Sequence, residues 1–251
     1  MSYIGTTEIG GMFFGSTEIE KAYLGNTLVY EKAGEIPGSL ITDYVQSGLV
    51  LHLDGKEKGS TTYWVDRIGN RSFEKRGGVT FNKDHVYFDG VDDWLRYYNG
   101  ANVSNVPGRN TGTIEVVYEN ENLGVASSAI FLTNGASKII AYVNSSKEFV
   151  YTNDTVDSRA VYPPIITSSK ASISVSADRA YENGTALSIG STKRRLNDTI
   201  ANYWCVGHSK SGYYFKGKIY SIRIYNRKLS QAEVMQNLSV DNLRFNLGLT
   251  L

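Results

Sequence analysis

One stretch, YFKGKIYSIRIYNRKLSQAEVMQN at Tyr214–Asn237, constrains the fold of this chain more than any other. Its first half alternates with the period of two that places successive side chains on opposite faces of a β-strand. Tyr220, Ile222 and Ile224 fall on one side, which we predict to face a core. Arg223 falls on the other side, where we expect more exposure. The stretch therefore predicts a core strand of a β-domain.

The second half of the stretch predicts a short helix directly after that strand. Ser230 is a favourable N-cap, and Glu233, three residues later, completes a capping box that satisfies two backbone N–H groups. Val234 and Leu238 are four residues apart and therefore share one helix face. We expect that face to pack on the sheet.

Four motifs occur in order along the chain: GLVLHLDG at Gly48–Gly55, VYFDGVDDWL at Val86–Leu95, AYENGTAL at Ala180–Leu187 and FKGKIYSIRIYNRKLSQAE at Phe215–Glu233. Together they resemble the motifs of laminin-G-like, concanavalin A-type jelly-roll domains over roughly residues 45–240. The resemblance implies an all-β fold: a concanavalin A-like (laminin-G-like) jelly-roll sandwich, with a small N-terminal β-repeat segment and a short C-terminal helix. Strand-like runs about ten residues apart, separated by Gly, Asn and Asp, also indicate a sandwich.

The N-terminal segment carries a repeat in which an aromatic or aliphatic pair is followed by Gly and small polar residues. Each unit predicts a very short strand, a tight turn and a second short strand, which cannot bury a core alone. The repeat resembles the N-terminal segments of virion proteins of phages of gut bacteria. Its large apolar residues are therefore expected to dock on other virion proteins, and they are Tyr3, Phe13, Phe14, Tyr23 and Leu24. The alternative is that these short strands pack against the main domain.

Glycine and proline content separates this segment from the main domain. We predict an anchoring or assembly segment at 1–34, a linker at 35–47, the jelly-roll domain at 48–240 and a C-terminal tail at 241–251.

Charge and cysteine content narrow the classes of partner. The chain has 26 basic and 25 acidic residues, so no net basic surface is expected for binding nucleic acid.

No apolar run approaches the ~20 residues needed to span a membrane, so no membrane insertion is expected. The single cysteine, Cys205, excludes an intrachain disulfide and is expected to be buried in a strand. The N-terminal residues lack the pattern of a signal peptide.

Glu115 and Glu119 are the candidates for catalysis, because their spacing puts both on one strand face. Relatives of this fold that hydrolyse β-glucans carry a Glu-x-Asp-x-x-Glu pattern. Here the central Asp is replaced by Val117, so nothing would orient the two glutamates. The alternative is an exposed strand face with a charge at each end. The missing pattern predicts that the chain is not an enzyme.

A cluster of acidic residues follows the second motif. Asp89, Asp92 and Asp93 supply the hard oxygen ligands that Ca²⁺ binds, and relatives of this fold often hold calcium near the sandwich rim. The alternative, which is favoured because no complete ligand set can be read, is a turn built around Asp89-Gly90. The three histidines have no metal-ligand spacing, and His52 is expected on a polar strand face.

Aromatic residues in loops are candidates for glycan binding, because jelly rolls of this type recognise sugars by stacking on aromatic rings. The candidates are Trp94, Tyr97, Tyr98, Tyr213 and Tyr214. Trp64 is a further candidate that is equally compatible with a place in the core.

These patterns predict a non-enzymatic structural protein of a bacteriophage virion, a homo-oligomer made in the host cytoplasm and released by lysis. Its sandwich would bind host-surface or mucosal glycans. A bacterial carbohydrate-binding module unconnected with a virion, a decoration protein that binds no sugar and a weak glycosidase are the alternatives.

Overall fold

A computed structural model describes the chain as two compact units, residues 1–43 and 44–251. Side chains are described for residues 44–98, 112–121, 170–176, 179–188, 204–208 and 214–249, and elsewhere the description is confined to the backbone of the strands named below. The second unit therefore includes the last residues of the predicted linker and the whole predicted tail.

The first unit contains three separate antiparallel strand pairs. Their strands are β1 (Tyr3–Ile4), β2 (Thr7–Glu8), β3 (Phe13–Phe14), β4 (Thr17–Glu18), β5 (Lys21–Leu24) and β6 (Thr27–Glu31). Each pair corresponds to one unit of the sequence repeat. The side chains of the five predicted assembly residues lie outside the described residues.

The second unit is built from strands and one helix. The strands are β7 (Leu49–Asp54), β8 (Tyr63–Val65), β9 (Ser72–Arg76), β10 (Thr80–Phe81), β11 (Val86–Asp89), β12 (Trp94–Tyr97), β13 (Thr113–Asn120), β14 (Ser128–Asn134), β15 (Lys138–Val143), β16 (Phe149–Thr152), β17 (Arg159–Val161), β18 (Lys170–Ser176), β19 (Ala180–Glu182), β20 (Thr185–Leu187), β21 (Gly190–Thr192), β22 (Trp204–Val206), β23 (His208–Ser209), β24 (Tyr213–Tyr214) and β25 (Lys216–Tyr225). The helix is α1 (Gln231–Phe245).

Two large antiparallel sheets dominate this unit. The eight-stranded sheet has the order β10-β11-β25-β13-β18-β19-β20, and β7 also pairs with β25. The nine-stranded sheet has the order β21-β17-β16-β15-β14-β22-β12-β9-β8. The long strand β25 is the centre of the first sheet, because β7 and β11 pair with different parts of it and β13 pairs along most of its length.

The main apolar core takes side chains from both sheets. Leu51, Ile222 and Ile224 come from the eight-stranded sheet, and Leu95 and Val206 come from the nine-stranded one. The period of two in these strands puts every second residue into this layer. The predicted all-β sandwich with a short C-terminal helix is confirmed.

Trp64, which the sequence left open, and Cys205 both lie in the interior. Trp64 is 0% exposed, and its indole N–H donates to the backbone carbonyl of Asp54 over 2.8 Å. It is therefore part of the core and cannot contact a glycan. Cys205 is buried, as expected from its strand position, and its thiol donates to the backbone carbonyl of His208 over 3.3 Å.

Helix α1 begins at the predicted capping box. The Ser230 hydroxyl accepts from the backbone N–H of Glu233, and the Glu233 carboxylate accepts from the backbone N–H of Ser230. Val234 and Leu238 are buried, as their shared face predicts. The helix continues to Phe245, so the first five residues of the predicted C-terminal tail, 241–245, are helical. No helix in the described part of the chain has the length and apolar character needed to cross a membrane.

The helix covers the outer face of the eight-stranded sheet, and an ionic network lies beneath it. Arg223 of β25 donates to both carboxylate oxygens of Asp241 over 2.7 and 2.5 Å, and through Nε to Glu115 over 3.0 Å. The amide of Asn237 donates to Glu115 over 2.7 Å. Charge-assisted bonds of this bidentate kind are strong and directional. They fix α1 on the sheet.

The segment before β7 joins the same network. The hydroxyl of Tyr44 donates to Asp241 over 2.9 Å, and its ring lies 4.2 Å from the Arg223 guanidinium carbon. The backbone N–H of Val45 donates to the side chain of Asn237 over 2.9 Å. The beginning of the second unit is thereby joined to its C-terminal helix.

One exposure prediction is wrong for this face. Arg223 was expected to be exposed and is 1% exposed. His52 was expected on a polar strand face and lies on it beside Arg223, but it is fully buried. Both point away from the apolar core, as the alternation requires, but α1 and the Tyr44 segment cover them. Burial, followed by the charges of nearby arginines, lowers the pKa of His52 well below its usual range, so its ring is neutral.

A second prediction is wrong at Tyr220, which was expected to face the core with Ile222. Opposite β25, Val117 pairs with Ser221 and the next residue, Tyr118, pairs with Ile219, so Tyr220 is the extra residue of a β-bulge. Its ring lies 5.6 Å from that of Phe245 in α1. The bulge turns this ring toward the helix.

A carboxyl group lies buried near the edge of the eight-stranded sheet. Glu182 pairs with Ile173, a core residue, so it shares the inner face of the sheet. It is 8% exposed, and its Oε1 has no hydrogen-bond partner among the described residues. Burial raises the pKa of Glu182 to about 7. The protonated form is therefore the one that this site favours.

We expect Glu182→Gln to flatten the pH dependence of stability. Because the folded-state pKa lies above that of the unfolded chain, this group stabilises the wild type most below about pH 4 and loses that contribution as pH rises through about 7. The amide cannot ionise, so the variant should gain on the order of 2 kcal/mol relative to wild type between about pH 5 and about pH 8. Urea unfolding at both pH values measures the difference. Glu121→Gln, at an exposed position, is the control; parallel pH profiles for wild type and Glu182→Gln would contradict the assignment.

Candidate functional site

Three half-exposed rings form a row beside the nine-stranded sheet. The centroid of Trp94 lies 5.3 Å from that of His208, and His208 lies 4.6 Å from Tyr214. The interplanar angles are 38° and 35°, so the rings are tilted relative to one another. Separations of this size are those of favourable aromatic pairs. We call Trp94, His208 and Tyr214 the aromatic row.

Local sequence explains why these rings are on the outside. Trp94 opens β12, and its neighbour Leu95 points into the core with 0% exposure. His208 and Tyr214 are paired in the hairpin of β23 and β24. The hairpin leaves β22 at Gly207, whose φ is +85° and where a Cβ would lie 2.6 Å from the ring of Phe88. Only glycine fits that turn without strain.

The central ring of the row is uncharged at neutral pH. Burial lowers the pKa of His208 below its usual value. A neutral imidazole carries hydrogen-bonding atoms at its edge, and the rings of Trp94 and Tyr214 on either side of it have apolar faces. The row can therefore contact a ligand that has an apolar face and hydroxyl groups.

The other predicted aromatic residues are placed differently. Tyr97 is on the inner face of β12, with its ring 5.6 Å from Phe73 and 5.4 Å from Trp204, so it packs against the core and is not part of the row. Tyr98 is 50% exposed, and its ring lies 5.8 Å from the guanidinium carbon of Arg96. Tyr213 lies in β24, and its side chain is outside the described residues.

The acidic residues form the turn between β11 and β12. One carboxylate oxygen of Asp89 accepts the backbone N–H of Val91 over 2.7 Å, and Asp93 accepts the backbone N–H of Asp89 over 2.9 Å. Gly90 has a φ of +80°. These bonds are those of an Asx-type turn, so the carboxylates of Asp89 and Asp93 hold the loop before Trp94.

The same turn has some properties of a cation site. Carboxylate oxygens of Asp89, Asp92 and Asp93 lie within 4.8 Å of one another. Asp93 is buried, its Oδ1 has no hydrogen-bond partner among the described residues, and burial raises its pKa. These three carboxylates are fewer than the about six to eight oxygens that Ca²⁺ takes. Calcium binding by this turn stays a prediction.

The two glutamates considered for catalysis are both engaged in ion pairs. Glu115 is 2% exposed beneath α1 and accepts from Arg223, so the expectation of an exposed strand face is wrong for this residue. Glu119 accepts from Lys218 over 3.0 Å and from the hydroxyl of Tyr220 over 2.9 Å. Glu115 is out of reach of a substrate because the helix covers it.

A charged group beside the aromatic row was not predicted. Arg76 and Arg96 each donate through Nη2 to one oxygen of Glu74, over 2.5 and 3.1 Å. The alternation in SFEKR and WLRY places these residues on one face, but their proximity depends on the pairing of β9 with β12. Sequence alone does not reveal that register.

Comparison with family models and with curated proteins finds no match. Solved structures do match. A Trypanosoma rangeli sialidase in complex with 2,3-difluorosialic acid (covalent intermediate) has 13% identity and a TM-score of 0.56 over 78% of this chain and 33% of its own. The binding domain of botulinum neurotoxin serotype D/C VPI 5993 has 13% identity and a TM-score of 0.54 over 79% of this chain and 53% of its own.

A third match is the binding domain of botulinum neurotoxin DC in complex with SialylT, with 12% identity and a TM-score of 0.53. It covers 79% of this chain and 52% of its own. The chain thus spans a third of the sialidase chain and about half of each toxin chain. At this identity the likeness shows the fold, a β-sandwich.

These matches correct the prediction that the chain is not an enzyme. Sialidases are enzymes, and their chains are among those similar to this one. The missing Glu-x-Asp-x-x-Glu pattern excludes one kind of glucanase site. It does not exclude other kinds of enzymatic site, because one fold can carry many unrelated sites. The prediction was wrong because it was based on the absence of a single motif.

Proposed function

We propose that the sandwich binds a glycan at the aromatic row. The observation that carries this proposal is the alignment of Trp94, His208 and Tyr214, three half-exposed rings within 5.3 Å of their neighbours. The C–H face of a sugar ring is apolar and stacks on aromatic faces, while its hydroxyl groups need polar partners at the edge. The structure of a similar toxin domain with SialylT, and those of sialidases with sialic acid, support a glycan as the class of ligand.

Tryptophan fluorescence gives a direct test on the full chain. Of the three tryptophans, Trp64 and Trp204 are buried and Trp94 is half-exposed. A sugar that stacks on Trp94 should therefore change the emission of that residue. The titration uses oligosaccharides identified on a glycan array, with calcium present and with a chelator, so that the contribution of the acidic turn is measured as well.

We expect Trp94→Ala to weaken glycan binding about five-fold or more, because one stacked ring contributes about 1–3 kcal/mol. Isothermal titration calorimetry measures the change without relying on the fluorophore. Leu243→Ala, at an exposed position on α1, is the matched control and should bind as wild type does. Unchanged binding in Trp94→Ala, or no glycan bound by wild type across a broad array, would contradict the proposal.

For the first unit we propose an assembly role, as a segment that docks on other proteins of a phage particle. Its support is the sequence repeat together with the three strand pairs, each too small to bury a core of its own. Deleting residues 1–34 should abolish incorporation into particles and leave glycan binding intact. Co-purification of the full chain with phage particles is the measurement, and its absence from particles would contradict the virion role without affecting the glycan site.

A further inference from the structure

Four side chains occupy neighbouring positions on the outer face of β9 and β12. Trp94 is directly opposite Arg76, and Arg96 is directly opposite Glu74. Residues opposite each other in a sheet have Cβ atoms about 4.5–5.5 Å apart, and residues two apart along a strand are separated by about 7 Å. Trp94 therefore has Arg76 beside it on the next strand and Arg96 beside it on its own. We call Glu74, Arg76 and Arg96 the arginine clamp.

The clamp has more positive than negative charge. Its two guanidinium groups share a single carboxylate oxygen, Oε2 of Glu74. The side chains of Arg76 and Arg96 are 36% and 31% exposed, so each presents part of its fork to solvent. The Nε–H groups of both are buried without a hydrogen-bond partner among the described residues. A bound anion would meet two pre-oriented forks with one net positive charge.

Aromatic side chains border this charged group. Tyr63 is opposite Glu74 on the neighbouring strand β8 and is 39% exposed. Tyr98 is two residues beyond Arg96, with its ring 5.8 Å from that guanidinium carbon. Trp94 lies on the remaining side and belongs to the aromatic row. A sugar ring on Trp94 would thus place its substituents over the two arginines.

We propose that the arginine clamp selects glycans that carry a carboxylate, with Arg76 and Arg96 binding the acidic group of a sugar that stacks on Trp94. This inference rests on the proposed glycan-binding function and names its ligand class. Glu74 is a positioning residue: by accepting from both Nη2 atoms it holds the two forks side by side before the ligand arrives, which lowers the entropic cost of binding. A planar carboxylate matches the geometry of a guanidinium fork.

The acidic turn limits the direction from which such a ligand can approach. Gly77, next to Arg76, has a φ of +68°, and a Cβ there would lie 2.5 Å from the backbone oxygen of Asp92. The acidic residues therefore border the clamp at its Arg76 end and repel an anion there. Arg96 is farther along β12 from this turn. We expect Arg96 to contribute more to binding of the acid than Arg76.

The test uses the full chain and two oligosaccharides that differ only in one sialic acid residue. Wild type should bind the sialylated form about ten-fold or more tightly than the form without it, because hydrogen bonds to charged groups are strong. Arg96→Gln should remove most of that preference and change affinity for the neutral form by less than about two-fold. Arg96→Lys keeps the charge without the planar fork and should recover part of the preference.

Three controls make each result decisive. Arg179→Gln removes the same charge at an exposed position outside the clamp and should leave the preference unchanged. Thermal unfolding verifies that the variants fold. Raising the salt concentration should weaken binding of the acidic form more than that of the neutral form.

The outcomes separate this proposal from the one on which it rests. Equal affinity of wild type for both forms, or an unchanged preference in Arg96→Gln, overturns acid selection and leaves glycan binding at the aromatic row in place. Tight binding of a sulfated oligosaccharide without binding of the carboxylated one overturns the choice of a carboxylate. No binding of either form, with Trp94→Ala indistinguishable from wild type, overturns both proposals.

Discussion

Replacing Arg223 by Met is expected to lower the free energy of unfolding by about 3–5 kcal/mol. The Arg223 side chain is 1% exposed and donates to two buried carboxylates, Asp241 and Glu115. Its removal leaves two negative charges beneath α1 without their counter-charge, and burial alone already raises the pKa of Glu115. Urea unfolding monitored by circular dichroism measures the loss.

A matched arginine elsewhere in the chain provides the control. Arg227 also makes a bidentate pair, with Glu233, but their side chains are 32% and 28% exposed. Arg227→Met should therefore cost no more than about 1 kcal/mol. Combining Arg223→Met with Glu115→Gln and Asp241→Asn should recover part of the loss, because the unpaired charges are then gone. Equal costs for the two arginine variants would show that the buried network does not hold the helix.

Tyr44→Ala is expected to cost about 3–5 kcal/mol, as large as the loss of an aromatic side chain from a core. The Tyr44 ring is 1% exposed and packs edge-on against His52, with centroids 5.1 Å apart, and over the Arg223 guanidinium. Tyr44→Phe keeps these contacts and loses only the hydrogen bond to Asp241. It should cost about 1–2 kcal/mol.

The same measurement on an exposed tyrosine tests whether the loss of stability comes from the position of Tyr44 or from the removal of any tyrosine ring. Tyr63 is 39% exposed, so Tyr63→Ala should change the free energy of unfolding by about 0.5 kcal/mol or less. A Tyr44→Ala variant as stable as Tyr63→Ala would mean that the segment before β7 is not a structural part of the sandwich.

Local sequence signals predicted strand β25 and helix α1 well. They could not predict that the helix covers the outer face of the strand. The capping box at Ser230 and Glu233 is a short-range pattern, so it can be read directly. Period-two alternation separates Ile222 from Arg223 but does not say whether the second face meets water or a helix. Burial of Arg223 depends on α1 packing back over β25, which is a long-range contact. The bulge at Tyr220 also has no local signature in the sequence.

The residues of the candidate site were also predicted only in part from the sequence. Trp94 was predicted because an aromatic residue follows an acidic turn, and the structure places it in the aromatic row. Tyr97 was also predicted as a glycan contact. It is two residues from Leu95 and therefore lies on the same inner face of β12, so the strand pattern already indicated that Tyr97 faces the core. Arg76 and Arg96 were missed because only the register of β9 and β12 brings them to one carboxylate. His208 was considered only as a metal ligand.

The position of β25 in its sheet determines when this domain can fold during synthesis. Among the strands named above it comes last in the chain, yet β7, β11 and β13 all pair with it. Until Lys216–Tyr225 leaves the exit tunnel, each of these three strands has a backbone edge without its partner strand. Such an edge can pair with a strand of another nascent chain. A chain that stops translation before Lys216 is therefore expected to aggregate, and it will not yield a smaller soluble domain.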